Sequence, residues 1–295
     1  VVSIIVPVFD RLAYLRAAID SILEQSFQDW ELIIGDDGSG PETLDYLRTL
    51  EHVARVQVLQ LAHSGNPAVV RNAALRRATG TYVAFQDSDD VWMPDKLLIQ
   101  VAALRSRTAC HWSYTGFTLV DDCGQPLTGP QAAPCPAVSG RIFERLLREQ
   151  ALVVTPSVVV RRELINELGG YNESLQVCED YELWLRLALR SNVDFIDQPL
   201  VLIRRHSQHS FDDLTCLENL RRTLEIVQHS AAAPHLHGVL DERRAKISAN
   251  MARGYALRRH RVRALATLLS SARYSWRYPY WWRGALLAGA RAISP

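Results

Sequence analysis

Through the first hundred residues, short apolar runs alternate with stretches whose apolar positions recur at helical spacing. The run VVSIIVPV predicts a strand, and Leu12, Leu15, Ile19, Ile22 and Leu23 then fall on one face of a helix. WELIIGDD predicts a second strand, closed by the turn residues Gly38, Ser39 and Gly40, and Pro41 suits the first position of the next helix. VARVQVLQL predicts a third strand. Asn66 and Pro67 read as the cap and first residue of a helix ended by Gly80, and TYVAFQ predicts the fourth strand. The order is βαβαβαβ.

Such alternation implies an α/β fold whose central sheet is mostly parallel, with ligands bound beyond the carboxyl ends of the strands. Those ends carry Pro7 to Asp10, Asp36 with Asp37, and the cluster Asp87, Asp89 and Asp90. From about Ala109 to Arg205 the pattern is less regular. It holds an apolar run with aromatics, a Pro-rich stretch from Pro126 to Pro136, then LVVTPSVVV and the helical EDYELWLRLAL. Beyond about Asp212 the chain is rich in Leu, Ala and Arg and predicts helices alone. The expected organisation is a domain over 1–211, with a ligand-binding half over 1–108 and an acceptor half over 109–211, followed by a basic helical region over 212–295.

Charge sharpens that division. The formal net charge is +1, yet Arg243 to Pro295 carries twelve Lys or Arg and no Asp or Glu, leaving 21 basic against 32 acidic residues in the rest. Between those tail arginines lie Trp276, Trp281, Trp282 and several Tyr, the side chains an interfacial segment on an anionic bilayer uses. A helical cap with aromatics packed inward reads equally well from the same residues. Five cysteines without a C-x-x-C pair argue against a zinc knuckle or redox motif and for free thiols. Val1 already lies in a strand-like run too short for a signal peptide or membrane span, and no other run reaches spanning length.

The stretch VAFQDSDDVWMPDKL sets three carboxylates directly after an apolar run, where they repel one another unless a positive charge sits among them. Carboxylates at a strand end suit Mg2+ or Mn2+, hard cations that bridge and neutralise phosphates. With SIIVPVFDR, SILEQSFQDWELIIGDDGSG, GNPAVVRNAALRRATGTYVAFQDSDDVWMPDKL and GGYNESLQVCEDYELWLRL in order, residues 1 to 206 resemble the inverting family 2 glycosyltransferases of GT-A fold. That resemblance implies a Rossmann-like nucleotide-diphospho-sugar transferase fold and a role for each motif. Pro7, Val8, Phe9, Asp10, Asp36 and Asp37 would hold a uridine-like base and ribose, although the family's aromatic-Asn is here Phe9 and Asp10. Arg71 and Asn72 would lie near the diphosphate. Asp87, Asp89 and Asp90 would form the D-x-D region, one acid toward the ribose and at least one on the metal, Asp89 by preference with Asp90 beside it; Ser88 would lie in the nucleotide-sugar site, and His206 would reach the metal or the diphosphate. Asp180 would be the general base, beside Glu179. His63, His111 and His209 carry no comparable signal.

The implied activity is metal-dependent transfer of a sugar from a nucleotide sugar, UDP-linked by preference, to a saccharide or lipid-linked acceptor hydroxyl. Its setting would be bacterial surface polysaccharide or glycolipid assembly, in the cytoplasm or at the inner face of the plasma membrane, with no nucleic-acid partner. Two other readings stand beside it. DSDDV matches the nucleophile motif of haloacid-dehalogenase-like phosphatases, but these carry it on the first strand. A non-catalytic nucleotide-sugar-binding protein would keep the pocket without turnover.

Overall fold

A computed structural model of the protein describes residues 1–128, 138–205, 213–230, 234–283 and 285–286. His206 and most of the Pro-rich stretch lie outside them. The chain forms two compact units, Val1–Ile142 with Ala151–His209, and Phe143–Gln150 with Ser210–Pro295.

The first unit is built on an eight-stranded sheet. Its first half is β1 (Val2–Val8), α1 (Leu12–Leu23), β2 (Trp30–Asp36), α2 (Pro41–Leu50), β3 (Val56–Gln60), α3 (Pro67–Leu75) and β4 (Tyr82–Phe85). Then come β5 (Val91–Trp92), α4 (Lys96–Ser106), β6 (Cys110–Val120), β7 (Val159–Arg161), α6 (Arg162–Glu167), α7 (Glu179–Arg190) and β8 (Asn192–Arg204), α5 belonging to the other unit. The strand order is β3-β2-β1-β4-β7-β6-β8-β5. Strands β3, β2, β1 and β4 run parallel, β7 is antiparallel to both neighbours, and β6 and β8 pair parallel.

The apolar periods decide the packing. Val2, Ile4, Val6 and Val8 alternate along β1 onto the face covered by Leu15, Ile19 and Ile22 of α1 and Leu47 of α2, while Ile5 is buried with them in the strand's interior. At about 25 cal/mol per Å2 of apolar surface, each such fully buried aliphatic side chain contributes roughly 1.5–3 kcal/mol. β3, at the sheet edge, is only half-buried.

Three local expectations change. The third strand begins at Val56, not Val53. LVVTPSVVV is broken by a 3-10 turn at Thr155–Ser157, which leaves only Val159–Arg161 as strand. Helix α3, capped by the Asn66 side chain accepting from the Ala68 N–H with Pro67 at its first position, ends at Leu75 rather than Gly80. Gly80 instead marks a close approach: a Cβ there would lie 2.7 Å from the Ser3 backbone nitrogen, and its own N–H donates to Ser3 Oγ at 2.8 Å.

The second unit is helical: α5 (Phe143–Leu147), α8 (Asp213–Ser230), α9 (Pro234–Leu257) and α10 (Arg261–Ser275). After α5, Glu149 accepts from Arg243 at 2.6 Å and from Lys246, both on α9. The aromatic segment after α10 is largely folded in. Tyr278 and Tyr280 donate their hydroxyls to the carbonyls of Gly238 and Glu242, and buried Trp281 donates its indole N–H to Ser271 Oγ at 2.9 Å. Trp276 and Trp282 stay exposed. No helix among the described residues is long and apolar enough to cross a membrane.

Candidate active site

The parallel register brings the ends of β1 and β2 side by side, Pro7 opposite Gly35 and Val8 opposite Asp36. Asp37 extends the pairing by donating its N–H to the Val8 carbonyl. Both acids are buried, and they do different things. Asp36 caps the turn, accepting the Ser39 N–H at 3.2 Å. Asp37 ties down the next loop, accepting the Ser64 N–H and O–H and the Gly65 N–H, each at 2.8 Å. His63, which had no signal in the sequence, belongs here too. Its Nδ1–H donates to the Asp37 carbonyl at 2.8 Å, and its ring stacks on exposed Phe9 with centroids 4.4 Å apart.

Asp10 and Arg11 both take left-handed backbone conformations, φ 54° and 59°, which cost roughly 1 kcal/mol or more each for non-glycine residues. Two hydrogen bonds hold the bend: the Asp10 N–H donates to Ser39 Oγ, and Asp10 Oδ1 accepts the Gly40 N–H, both at 2.8 Å. Asp10 thus has a structural task. The bend aims Arg11, which sequence reasoning passed over, at Asp89, with 2.8 Å between Nη1 and Oδ2.

Each acid of the DSDD turn meets a positive or donating partner. Asp87 Oδ1 lies 2.7 Å from Arg71 Nη2, Asp89 pairs with Arg11, and buried Asp90 accepts the Arg204 N–H at 2.8 Å. Arg204 Nε also donates to the Asp89 carbonyl at 3.1 Å. Ser88, half-buried, sits in the turn between them. Burial, opposed by Arg71 and reinforced by Asp89 and Asp180, raises the Asp87 carboxyl above the usual range. Burial with the charges of Asp87 and Asp89 pushes Asp90 well above it.

Arg71 is the hub. Its buried guanidinium reaches Asp87 with one amino group and Glu179 Oε1, 2.6 Å away, with the other, and lies over the Tyr171 ring. Asn72, its neighbour, faces the 171–173 loop. It donates to the Tyr171 carbonyl and to Glu173, and accepts the Tyr171 N–H at 2.8 Å. Gly170, at φ 75°, makes room for it: a Cβ there would stand 2.6 Å from Asn72 Oδ1.

Glu179 and Asp180 open α7 after Cys178, and they part company. Buried Glu179 is pushed up to about 7 by desolvation, against the pull of Arg71 and helped by the charge of Asp180. Asp180, half-buried, accepts the Thr155 hydroxyl at 2.9 Å. Thr155 lies in the 3-10 turn, whose Pro156 carbonyl accepts the Trp92 indole N–H at 2.8 Å. Trp92 directly follows the acidic turn, so the two carboxylate groups share one frame. Beneath it, buried Lys96 sets its ammonium 4.0 Å from the Trp92 ring centre, and desolvation takes its pKa well below the usual lysine range.

Among the described residues no group of three or more His, Cys, Asp or Glu is arranged to hold a metal ion. The donor set nonetheless fits Mg2+ or Mn2+ in the mode these ions adopt with phosphates, where one or two carboxylates suffice and phosphate oxygens and water complete the shell. Of these carboxylates, buried Asp89 is the one paired with Arg11.

Residues 3–168 match the family model described as Glycosyl transferase family 2. The putative teichuronic acid biosynthesis glycosyltransferase TuaG of Bacillus subtilis is 36% identical over 191 residues, 63% of this chain and 71% of TuaG. WfgD of Escherichia coli, a UDP-Glc:alpha-D-GlcNAc-diphosphoundecaprenol beta-1,3-glucosyltransferase, is 26% identical over 77% of this chain and 85% of its own. Among solved structures, S. aureus TarS 1-349 in complex with UDP-GlcNAc superposes with a TM-score of 0.71 at 20% identity, covering 99% of this chain and 88% of that one. The mannosyltransferase PcManGT of Pyrobaculum calidifontis, in complex with GDP-Man and Mn2+, gives 0.63 at 16% identity, with 99% and 86% covered. These likenesses leave no place for the phosphatase alternative. The chain belongs to glycosyl transferase family 2, a glycosyltransferase of GT-A-like fold that moves a sugar from a nucleotide-sugar donor to an acceptor.

Proposed function

We propose that the protein is an inverting transferase acting on a UDP-sugar, with a lipid-linked or growing saccharide acceptor, in the assembly of a bacterial surface polysaccharide. One observation carries the reading: Arg71 joins Asp87 of the acidic turn to Glu179 at the head of α7, so donor-facing and acceptor-facing carboxylates share a single site. The relatives point to the substrate class, since WfgD by its name uses UDP-Glc and a diphosphoundecaprenol acceptor. Residues 1–211 would carry the chemistry and the basic helical region would bring the enzyme to the inner face of the plasma membrane.

In this reading Pro7 to Asp10, Asp36 and Asp37 hold base and ribose, Phe9 and His63 offering an aromatic surface and Asp37 acting through the loop it ties down. Arg71, next to Asn72, faces the diphosphate. Asp87 and Ser88 face the ribose. Asp89 would be the protein's ligand for Mg2+ or Mn2+, which would supply charge to offset that of the departing diphosphate. Asp90, committed to Arg204, shapes the turn, and His206 remains a candidate ligand from its place in the sequence. The acceptor hydroxyl loses its proton to Asp180 as its oxygen bonds to the anomeric carbon. The bond from that carbon to the phosphate oxygen breaks, its electron pair leaves with UDP, and the anomeric configuration inverts. Thr155 holds Asp180 for that task.

Calorimetry with a nucleoside diphosphate panel, with and without Mn2+, tests the assignment. UDP binding is expected to need the metal, to survive Asp180→Asn, which abolishes transfer, and to be lost in Asp89→Ala. Failure of every nucleoside diphosphate to bind would sink the donor assignment.

A further inference from the structure

Helix α10 has two unlike faces. Ala264, Leu268, Ser271 and Ser275 are buried within the helical unit. On another side Val262, Leu265, Leu269 and Trp276 are exposed, Val262 at 82% and Leu269 at 68%. At about 100° per residue these four fall within a sector of roughly 60°. Arg261 and Arg273 border that sector, Arg263 and Arg277 lie further round, and no Asp or Glu occurs anywhere after Glu242.

Large apolar side chains left in water along one helix stripe need a partner. A second copy of the same face would set arginine against arginine. An anionic bilayer matches both components: leucine and valine enter the acyl boundary, indole rings sit at headgroup depth, and guanidiniums meet lipid phosphates. The aromatic segment after the helix is consistent with this division of labour. Tyr278, Tyr280 and Trp281 are tied inward, whereas Trp276 extends the stripe by nearly two further turns.

We propose that the Val262–Leu265–Leu269–Trp276 stripe of α10, with its flanking arginines, is the face by which this protein docks on anionic lipid. It deepens the membrane-side reading of the function, and moves the contact from the aromatic tail, where sequence reasoning put it, to the helix before it. Docking would set the enzyme on the surface that holds a lipid-linked acceptor.

The full chain is tested by flotation with phosphatidylcholine vesicles, with and without phosphatidylglycerol. Wild type is expected to float with the phosphatidylglycerol vesicles only. Leu265→Glu/Leu269→Glu should weaken partitioning about tenfold or more, and Leu98→Glu, at an exposed leucine on α4, should leave it unchanged. Melting curves of both variants should match wild type. The proposal is overturned if wild type never floats, or if the double variant floats as well as wild type. It is equally overturned if wild type is a dimer without lipid that the double variant dissolves, since a second copy then covers the face. UDP calorimetry in vesicle-free buffer reports on the donor site separately, so failure of either reading is seen without the other.

Discussion

Arg71 carries two carboxylates on one buried guanidinium, and removing it strands both. Arg71→Ala should cost about 3–5 kcal/mol in denaturant unfolding, because buried Glu179 and half-buried Asp87 lose their main cation. Arg71→Lys keeps the charge but not the fork, and should recover only part of that loss. Glu179 gives the site a pH signature. A carboxyl raised from 4.5 to about 7 on folding binds a proton in the native state that the unfolded chain releases, so stability falls as pH climbs from about 4.5 to about 7. Glu179→Gln should flatten that decline, by at most about 1.4 kcal/mol per pH unit, in urea melts compared by slope. A wild-type curve that rises over the same window would contradict the assignment. Thr155 makes a subtler claim at the same scale. Thr155→Val keeps the shape and deletes the donor to Asp180, so kcat should drop while UDP affinity in calorimetry stays the same; Thr155→Ser should restore kcat.

At the level of elements, α7 links the Glu179–Asp180 carboxylate pair to the core. Its first turn presents Glu179 and Asp180, while Trp184, little more than a turn on, stacks on Trp112 of β6 at 6.2 Å and leans on Phe85 of β4. Trp184→Ala should therefore cost about 3–5 kcal/mol in thermal or denaturant unfolding. Arg186, on the same helix, donates to the carbonyls of Leu168 and Gly170 and pairs with buried Glu182, holding the loop that Asn72 grips from the other side. Elements of this kind were readable where one period dominates. β1, α1, β2 and the cap of α3 follow from apolar spacing, Pro and Asn alone, and the carboxyl-end location of the site follows from the alternation. The end of α3 was misjudged because Gly80 imitates a helix stop while serving a steric purpose, contact with Ser3, that no local pattern carries. Arg11, Thr155 and His63 were invisible for a related reason. Their importance lies in which distant residue they touch, and Arg11 reaches Asp89 only because a strained bend aims it there.

For the whole molecule, the acids and bases that nearly cancel in the total charge are segregated along the chain, with the acids gathered before residue 243 and an acid-free, arginine-rich stretch after it. Isoelectric behaviour therefore says little about how the protein meets a charged surface, and vesicle binding should fade steeply as salt is raised even though the net charge is only +1. The acidic turn has a consequence at this scale as well. Its three carboxylates already have protein partners, so the fold does not wait for a metal, and a chelator should leave the melting temperature of the nucleotide-free protein unchanged. Mn2+ with UDP should raise it, since only together do they stabilise the native state.

The Arg11 to Asp89 pair also bears on the order of events in turnover. A lone cation approaching Asp89 must evict a guanidinium that the backbone bend holds in place, whereas a cation delivered with a diphosphate brings anionic oxygens that the evicted guanidinium can join. If Asp89 holds the metal as proposed, the metal and nucleotide would enter as one complex and leave as one. Steady-state kinetics should identify the metal–nucleotide complex as the varied substrate, with free Mn2+ silent in titrations of the bare enzyme. In Arg11→Ala that order should relax, and the metal alone should bind.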